Sequence, residues 1–272
     1  MNIYRGCTHG CIYCDSRSTC YKMDHDFEDI EVKQDALEIL DRQLRSRRRA
    51  CMVGTGAMGD PYIPLEQDLE LTKNCLKLID SHGFGLAVQT KSTLILRDLD
   101  ILKRISSRSK CVVQTTLTTY DEQLCKILEP NAPTSYERFK MLEVMRRERI
   151  PTVVWLAPVL PFINDSEKNL RGLLEYCIQA KVSGIICFGF GVTLREGSRE
   201  YFYRQLDAWQ PGMKERYQDT FGSSYICMSP HNWRLMEVIR DTCRTFRIPF
   251  GTEKVFRYLQ RYESRYTQHY LL

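Results

Sequence analysis

Three cysteines lie within eight residues of one another in the stretch RGCTHGCIYCD, which spans residues 5–15 of this 272-residue chain. Their Cys-x3-Cys-x2-Cys spacing allows one loop to bring the thiolates of Cys7, Cys11 and Cys14 to a single metal cluster. Iron–sulfur cubanes usually take four cysteine ligands, so three cysteines leave one iron with an open coordination position. An open position distinguishes a reactive metal site from a closed structural one. The spacing therefore predicts a reactive cluster loop.

Two other interpretations of this loop stay open on the residues alone. A zinc site would need a fourth ligand, which His9, Cys20 or His25 could supply, although zinc ligands usually come as two separate pairs. A redox Cys-x2-Cys motif formed by the last two cysteines would leave the first without a role. The other nine cysteines are scattered, several of them in apolar stretches, and we expect them to be small buried hydrophobic residues.

The elements that must position the loop follow from an alternation of helical and apolar segments. Helical patterns cover 32–46, 65–83, 96–107, 134–150 and 166–182, with a shorter helix after Asp121. Short apolar runs at 50–56, 84–90, 110–118, 152–158 and 184–191 are typical of parallel strands buried on both faces. A first strand at 1–4 would make six strands, too few for a closed eight-stranded barrel. The sequence predicts an α/β fold, a partial (β/α)6 TIM-like barrel.

The position of the cysteine loop just after the first predicted strand places it at the ligand-binding end of such a sheet. Ligands bind at the C-terminal ends of parallel strands. From about residue 195 the alternation gives way to helical segments. We therefore predict a barrel over 1–195 and a helical C-terminal extension over 196–272 that packs on the barrel.

Composition favours a globular protein, with 43% hydrophobic and 27% charged residues. No apolar run approaches the roughly 20 residues that span a bilayer, and no signal-peptide pattern is visible, so we predict a cytoplasmic protein without a membrane partner. The net charge of +5 is mild, and its densest basic run, 45–49, closes a predicted helix. A nucleic-acid partner is an open but weaker interpretation of that charge.

The octapeptide CTHGCIYC resembles the signature of the radical S-adenosylmethionine (SAM) superfamily, Cys-x3-Cys-x-aromatic-Cys, with Tyr13 at the aromatic position. Five segments within residues 2–195 resemble the spore photoproduct lyase-related branch of this superfamily, often labelled DNA repair photolyase-like. These segments are NIYRGCTHGCIYC, MGDPYIPLE, QTKSTLILRDLDIL, TTLTTYDEQLCKILEPNAPTSYERFKMLEVM and APVLPFIND. The resemblance implies a partial barrel, a 4Fe-4S cluster on the three cysteines and SAM at the open iron. It implies reductive cleavage of SAM to a 5′-deoxyadenosyl radical that abstracts hydrogen from a substrate.

The same resemblance assigns roles to residues at strand ends. Tyr13 would lie near the adenine of SAM, and Gly54 and Gly56 would let the backbone approach its methionine group. Lys91 would contact the SAM carboxylate, and Thr116 would bind SAM through its hydroxyl. Each has a structural alternative: ring packing, an ordinary βα turn, a surface charge and a neutral strand threonine.

Three other polar residues follow predicted strands. Asp60 either lines the mouth of the barrel or caps a turn, and Asn164 and Asp165 either face the substrate or cap the next helix together with Ser166. The resemblance also implies an external electron donor such as flavodoxin or ferredoxin, and it leaves the substrate unassigned.

One departure from the branch separates the function hypotheses. Spore photoproduct lyases carry a hydrogen-donating cysteine after the second strand, where this chain has Ala57 in GAMGD. Cys227 could replace that donor and His231 could act as an acid or base, although both fit structural roles. The first hypothesis is a radical SAM enzyme with an unassigned substrate. The second is nucleic-acid lesion repair or modification, and the third is a metal-stabilised binding module without turnover.

Overall fold

A parallel sheet forms the centre of the structure. The structure is a computed structural model, and it describes residues 1–56 and 59–265. The strands are, in chain order, β1 (Tyr4–Arg5), β2 (Glu31–Val32), β3 (Met52–Thr55), β4 (Gly85–Gln89), β5 (Cys111–Thr116), β6 (Thr152–Trp155), β7 (Gly184–Ile186), β8 (Gly191–Thr193) and β9 (Ile226–Met228). The central sheet has the order β3-β4-β5-β6-β7, and every pair in it is parallel.

Helices connect successive strands of this sheet and then form most of the C-terminal region. They are α1 (Ala36–Ser46), α2 (Glu66–Leu69), α3 (Leu71–Ser81), α4 (Leu99–Arg108), α5 (Glu122–Leu128), α6 (Ser135–Arg147), α7 (Glu167–Gln179), α8 (Ser198–Trp209), α9 (Met213–Phe221), α10 (Asn232–Thr245) and α11 (Thr252–Gln260). Asp121 caps α5 by accepting from two backbone N–H groups, and Ser166 caps α7 by accepting from Asn169 N.

The two faces of the sheet belong to different cores, which explains why its strands are apolar at successive positions. The outer face packs against the connecting helices through side chains such as Leu86, Val88, Cys111, Val113 and Ile185. The inner face packs against α11 through Ala87, Val112, Val153, Ile186, Val255 and Leu259. The buried Lys110 ammonium holds the end of α11 by donating to the carbonyls of Tyr258 at 2.6 Å and Arg261 at 3.2 Å.

The partial barrel is confirmed, but the predicted first strand is wrong as a member of the sheet. β1 pairs antiparallel with β2 instead, with Tyr4 opposite Val32. The chain passes beside β3 at its start, where the Met1 amino group donates to Gly54 O at 2.6 Å, and then turns away to pair with residues 31–33. Among residues 1–56 and 59–265 the parallel sheet therefore has five strands. A single bridge between Ile185 and Phe250 extends it beyond β7.

The C-terminal region packs directly behind the cysteine loop. Ile12 and Tyr13 share a buried cluster with Phe202 of α8, Tyr217 of α9 and Cys227 of β9. β8 and β9 form a two-stranded antiparallel pair that the sequence did not predict. The boundary at 195 stays a prediction. In the part of the chain that the structure describes, every helix is too short or too polar to cross a membrane.

Candidate cluster and cofactor site

One pocket at the C-terminal ends of β3, β4 and β5 brings the three loop cysteines together with predicted cofactor contacts. Among the residues that line it are Cys7, Cys11, Cys14, Gly56, Lys91 and Thr116. Gly56 follows β3, Lys91 lies two residues beyond β4, and Thr116 ends β5. Six of the eight residues that the sequence assigned to one site thus line one pocket, although they come from four separate segments of the chain.

Two glycines make this convergence possible. Gly6, directly before the first cysteine, has φ +90°, and a Cβ there would lie 2.6 Å from Phe27 O. Gly56 has φ +94°, and a Cβ there would lie 2.0 Å from Gln89 O. Both positions combine a left-handed backbone with a close backbone neighbour, so only glycine fits without rearrangement.

The three thiols fit the ligand set of a cluster with one open iron. All three are free; Cys11 is buried, whereas Cys7 and Cys14 are partly exposed. Burial raises the pKa of Cys11 to about 12, and burial together with the Asp60 carboxylate raises the pKa of Cys7 to about 12. Thiols release their protons when they bind a metal, so these buried sulfurs become thiolates only with a strong positive charge beside them.

The buried carboxylate of Asp60 ties the pocket wall together. Its Oδ1 accepts from Thr90 Oγ1 at 2.6 Å and Tyr62 N at 2.8 Å, and its Oδ2 accepts from Lys91 N at 2.7 Å. His9 Nε2 lies 3.1 Å from the same Oδ2. Burial opposes ionisation, but the neighbouring His9 imidazole and these donors lower the pKa of Asp60 to about 2. Asp60 therefore lines the pocket and also caps a turn, so it combines the two roles that the sequence analysis gave as alternatives.

A second buried carboxylate, Glu129, lies behind the cysteine loop. It accepts from the Tyr13 hydroxyl, from Thr118 Oγ1 at 3.0 Å and from the Arg138 guanidinium, and Lys91 Nζ lies 3.9 Å from its Oε1. Burial opposes its ionisation, but the charges of Arg138 and Lys91 lower the pKa of Glu129 to about 2. This carboxylate links the aromatic residue of the cysteine motif to the candidate cofactor lysine.

Backbone hydrogen bonds complete the attachment of the loop to the end of α5. Ile12 N donates to Leu128 O at 3.0 Å, and Asn131 N donates to His9 O at 3.1 Å. The Asn131 side chain donates to Thr8 O at 3.0 Å. Sequence reasoning missed this support, although the segment ILEPNAPTSYERFK that supplies it was part of the family resemblance.

Two predicted cofactor contacts lie elsewhere in the described residues. Tyr13 is buried with its hydroxyl on Glu129, and its ring centroid is 5.6 Å from Lys91 Nζ, so it backs the pocket rather than lining it. Gly54 lies within β3 and borders a different cavity. Ala57, the residue at the family's cysteine position, lies outside the described residues.

Other polar candidates have structural partners. Asn164 donates to Thr118 O at 2.8 Å and accepts from Leu160 N at 2.5 Å, and Asp165 accepts from Ser229 Oγ at 2.6 Å. Asn164 therefore ties the loop after β6 to the loop after β5. Cys227 is buried in the cluster behind the loop, and His231 is exposed beyond β9.

Each of the three candidate fourth zinc ligands contacts a different side chain. Cys20 Sγ is exposed and accepts from the Arg195 guanidinium at 3.4 Å. His25 Nε2 lies 2.9 Å from Glu31, and His9 faces Asp60. Within residues 1–56 and 59–265, no three His, Cys, Asp or Glu side chains are arranged to hold a single metal ion.

The partial parallel barrel and the three-cysteine pocket at its strand ends are features of one class of proteins. Comparison with known families identifies that class. The model of the radical SAM superfamily matches residues 1–174. The chain belongs to this superfamily.

Curated relatives extend the similarity beyond that match. An uncharacterised protein of Mycobacterium tuberculosis is 30% identical over 229 residues, which are 81% of this chain and 66% of that protein. An uncharacterised protein of Methanocaldococcus jannaschii is 30% identical over 169 residues, 61% of this chain and 62% of that protein. The chain thus spans just under two thirds of the length of these relatives.

Solved structures share the fold at low identity. A spore photoproduct lyase double variant with bound S-adenosylmethionine and dinucleoside spore photoproduct superposes with a TM-score of 0.63 at 14% identity, over 92% of this chain and 74% of that one. SuiB of Streptococcus suis bound to S-adenosylmethionine has a TM-score of 0.50 at 14% identity, over 90% of this chain and 49% of that one. At such identities the comparison supports the fold alone.

Proposed function

We propose that this protein is a radical SAM enzyme that holds a 4Fe-4S cluster on Cys7, Cys11 and Cys14 and cleaves SAM reductively to act on a substrate not yet assigned. The observation that carries the proposal is the single pocket in which these three thiols meet Lys91 and Thr116. A structural metal would need no such lysine and hydroxyl beside it. Superfamily membership supports the same chemistry.

Each pocket residue has a separate task in this proposal. When bound, the cluster supplies the electron that cleaves a carbon–sulfur bond of SAM. Cys7, Cys11 and Cys14 would hold the cluster, and the iron without a cysteine ligand would be open to the amino and carboxylate groups of SAM. Lys91 supplies a cation for that carboxylate, and Thr116 supplies a hydroxyl for hydrogen bonding.

The environment of Lys91 keeps it charged for this task. Burial favours the neutral amine, but neighbouring Cys11 and Glu129 raise the pKa of Lys91 above its ordinary value. Lys91 is therefore an ammonium at neutral pH. Because the anion of Glu129 stays 3.9 Å away, the ammonium remains available to a second carboxylate.

The test is anaerobic reconstitution with iron and sulfide, followed by addition of dithionite and SAM. We expect about four irons per chain and release of 5′-deoxyadenosine, detected by mass spectrometry. Cys11→Ala is expected to lose both, whereas the matched control Cys20→Ala, which changes an exposed cysteine outside the pocket, should keep both. An intact cluster without 5′-deoxyadenosine release, or full iron content in Cys11→Ala, would overturn the proposal. We propose flavodoxin or ferredoxin as the donor that replaces dithionite.

A further inference from the structure

The ammonium group of Lys91 lies beside a carboxylate but is not hydrogen-bonded to it. Its Nζ is 3.9 Å from Glu129 Oε1, about 1 Å more than the roughly 2.7–2.9 Å typical of a hydrogen bond between an ammonium and a carboxylate. Among the residues that the structure describes, none accepts a hydrogen bond from this Nζ. The side chain is 20% exposed and lines the cysteine pocket, so its N–H groups are available to a ligand there.

Both oxygens of Glu129 already accept from other donors. Oε1 accepts from the Tyr13 hydroxyl and from Thr118 Oγ1 at 3.0 Å. Oε2 accepts from the Arg138 guanidinium and from Cys125 Sγ at 3.4 Å. A carboxylate offers about four lone-pair positions, so these four donors occupy all of them. A further cation beside this carboxylate has no lone pair left to which it can donate.

The two hydroxyls on Oε1 occupy the positions that the lysine would otherwise take. A lysine has a flexible four-carbon stem, so its ammonium can close the remaining distance once a position on Oε1 is vacant. The attraction between two unit charges in a buried site grows as their separation falls. The resulting ion pair would compete with any second carboxylate for the same ammonium.

The fold holds both hydroxyls in place. Thr118 is fully buried, and its carbonyl accepts from Asn164 Nδ2 at 2.8 Å. Tyr13 is buried within the cysteine motif, and its ring centroid lies 5.6 Å from Lys91 Nζ. Each hydroxyl therefore meets the carboxylate from a fixed position, behind the pocket rather than in it.

We infer that the hydroxyls of Tyr13 and Thr118 keep Lys91 available to the carboxylate of SAM. They do so by occupying Oε1 of Glu129, the carboxylate oxygen beside the ammonium. Both are positioning residues, since they act through other side chains and not on SAM. The inference rests on the proposed function, which assigns the lysine to that carboxylate.

The experiment compares SAM with decarboxylated SAM, which lacks only the carboxylate. Equilibrium dialysis against the reconstituted protein, without dithionite, measures the affinity of each ligand. We expect the parent protein to prefer SAM. Thr118→Val should weaken SAM binding about tenfold, the scale of one charge-assisted hydrogen bond, and change the affinity for decarboxylated SAM less than about twofold.

Two further variants separate this effect from a general loss of structure. Tyr13→Phe removes the other hydroxyl from the same oxygen and should show the same selective loss. Thr119→Val is the matched control, because the Thr119 hydroxyl donates to Asn169 Oδ1 at 3.2 Å instead of to Glu129, and it should keep the preference of the parent.

A double-mutant cycle traces the effect to the carboxylate. In the variant Glu129→Gln/Arg138→Met the ammonium has no adjacent anion to approach, so adding Thr118→Val should leave the preference for SAM unchanged. A further selective loss in that background would overturn the inference.

Three other outcomes would also overturn it. They are a parent protein without preference for SAM, an unchanged preference in Thr118→Val and Tyr13→Phe, and an equal loss of affinity for both ligands. Release of 5′-deoxyadenosine by the parent tests the proposed function separately. Release together with any of these outcomes would overturn the inference alone.

Discussion

Two buried carboxylates hold the cysteine loop, and their charges are compensated in different ways. Asp60 accepts mainly from one hydroxyl and two backbone N–H groups, with His9 beside it. Glu129 faces the fully buried Arg138 guanidinium, and Lys91 lies farther away. One wall of the pocket is therefore fixed by hydrogen-bond geometry, and the other is fixed by charge. An amide can replace the first carboxylate, whereas the second cannot lose its partner.

The largest effect is expected from breaking the charged pair. Arg138→Met leaves Glu129 without its main countercharge, and we expect a loss of about 3–5 kcal/mol in the free energy of unfolding. Urea denaturation of the cluster-free protein measures it. The double variant Glu129→Gln/Arg138→Met should recover much of the loss, because it removes both charges. A double variant as unstable as the single one would show that shape rather than charge matters.

Substitutions of Asp60 should have smaller effects on stability, and they separate the loss of a hydrogen-bond acceptor from the loss of a charge. Asp60→Ala removes the acceptor of three donors, so we expect a loss of at least about 2 kcal/mol. Asp60→Asn keeps an acceptor oxygen and should lose roughly 1 kcal/mol. Hydrogen exchange at the amides of Tyr62 and Lys91 reports the same bonds locally, and both should exchange faster in Asp60→Ala. Equal losses in the two variants would contradict the comparison.

The pH dependence of the free energy of unfolding tests the contribution of the Glu129 charge to stability. The pKa of Glu129 is lowered from 4.5 to about 2, so its stabilising contribution is complete above about pH 4.5 and is lost as the pH falls towards 2. The variant Glu129→Gln/Arg138→Met should therefore lose less stability over this interval than the parent protein. Parallel urea midpoints for both proteins between pH 4.5 and 2 would contradict this.

The smallest effect is expected at the aromatic residue of the cysteine motif. Tyr13→Phe removes one donor to Glu129, which keeps Thr118 and Arg138, so we expect a loss of about 1 kcal/mol. Iron content after reconstitution should not change. Thr118→Val provides a matched removal of the other hydroxyl. Loss of iron in Tyr13→Phe alone would show that the phenol does more than satisfy Glu129.

The central strands were predictable because their residues are apolar at successive positions. The structure supplies the reason, since helices cover the outer face and α11 covers the inner face. The first strand was not predictable in the same way. Its partner is the two-residue segment Glu31–Val32, which is exposed and carries no strand pattern. A pair that short is decided by neighbouring contacts rather than by its own residues.

The pocket was predictable from cysteine spacing and from the rule that strand ends meet at one edge. Glu129 and Arg138 were not, because an acid and a base in a polar helical segment look solvent-exposed. Their burial depends on Tyr13, which lies 116 residues earlier in the chain than Glu129. Such a contact is a property of the tertiary structure and leaves no local pattern.

The position of α11 has a consequence for the order in which the protein is made. The last strand of the sheet ends at Ile186, but the helix that covers the inner face begins roughly 65 residues later. At synthesis rates of about 5–20 residues per second, the ribosome needs about 3–13 s to add those residues. During that interval Val112, Val153 and their neighbours are not buried by α11, so the nascent chain exposes an apolar surface to which chaperones can bind.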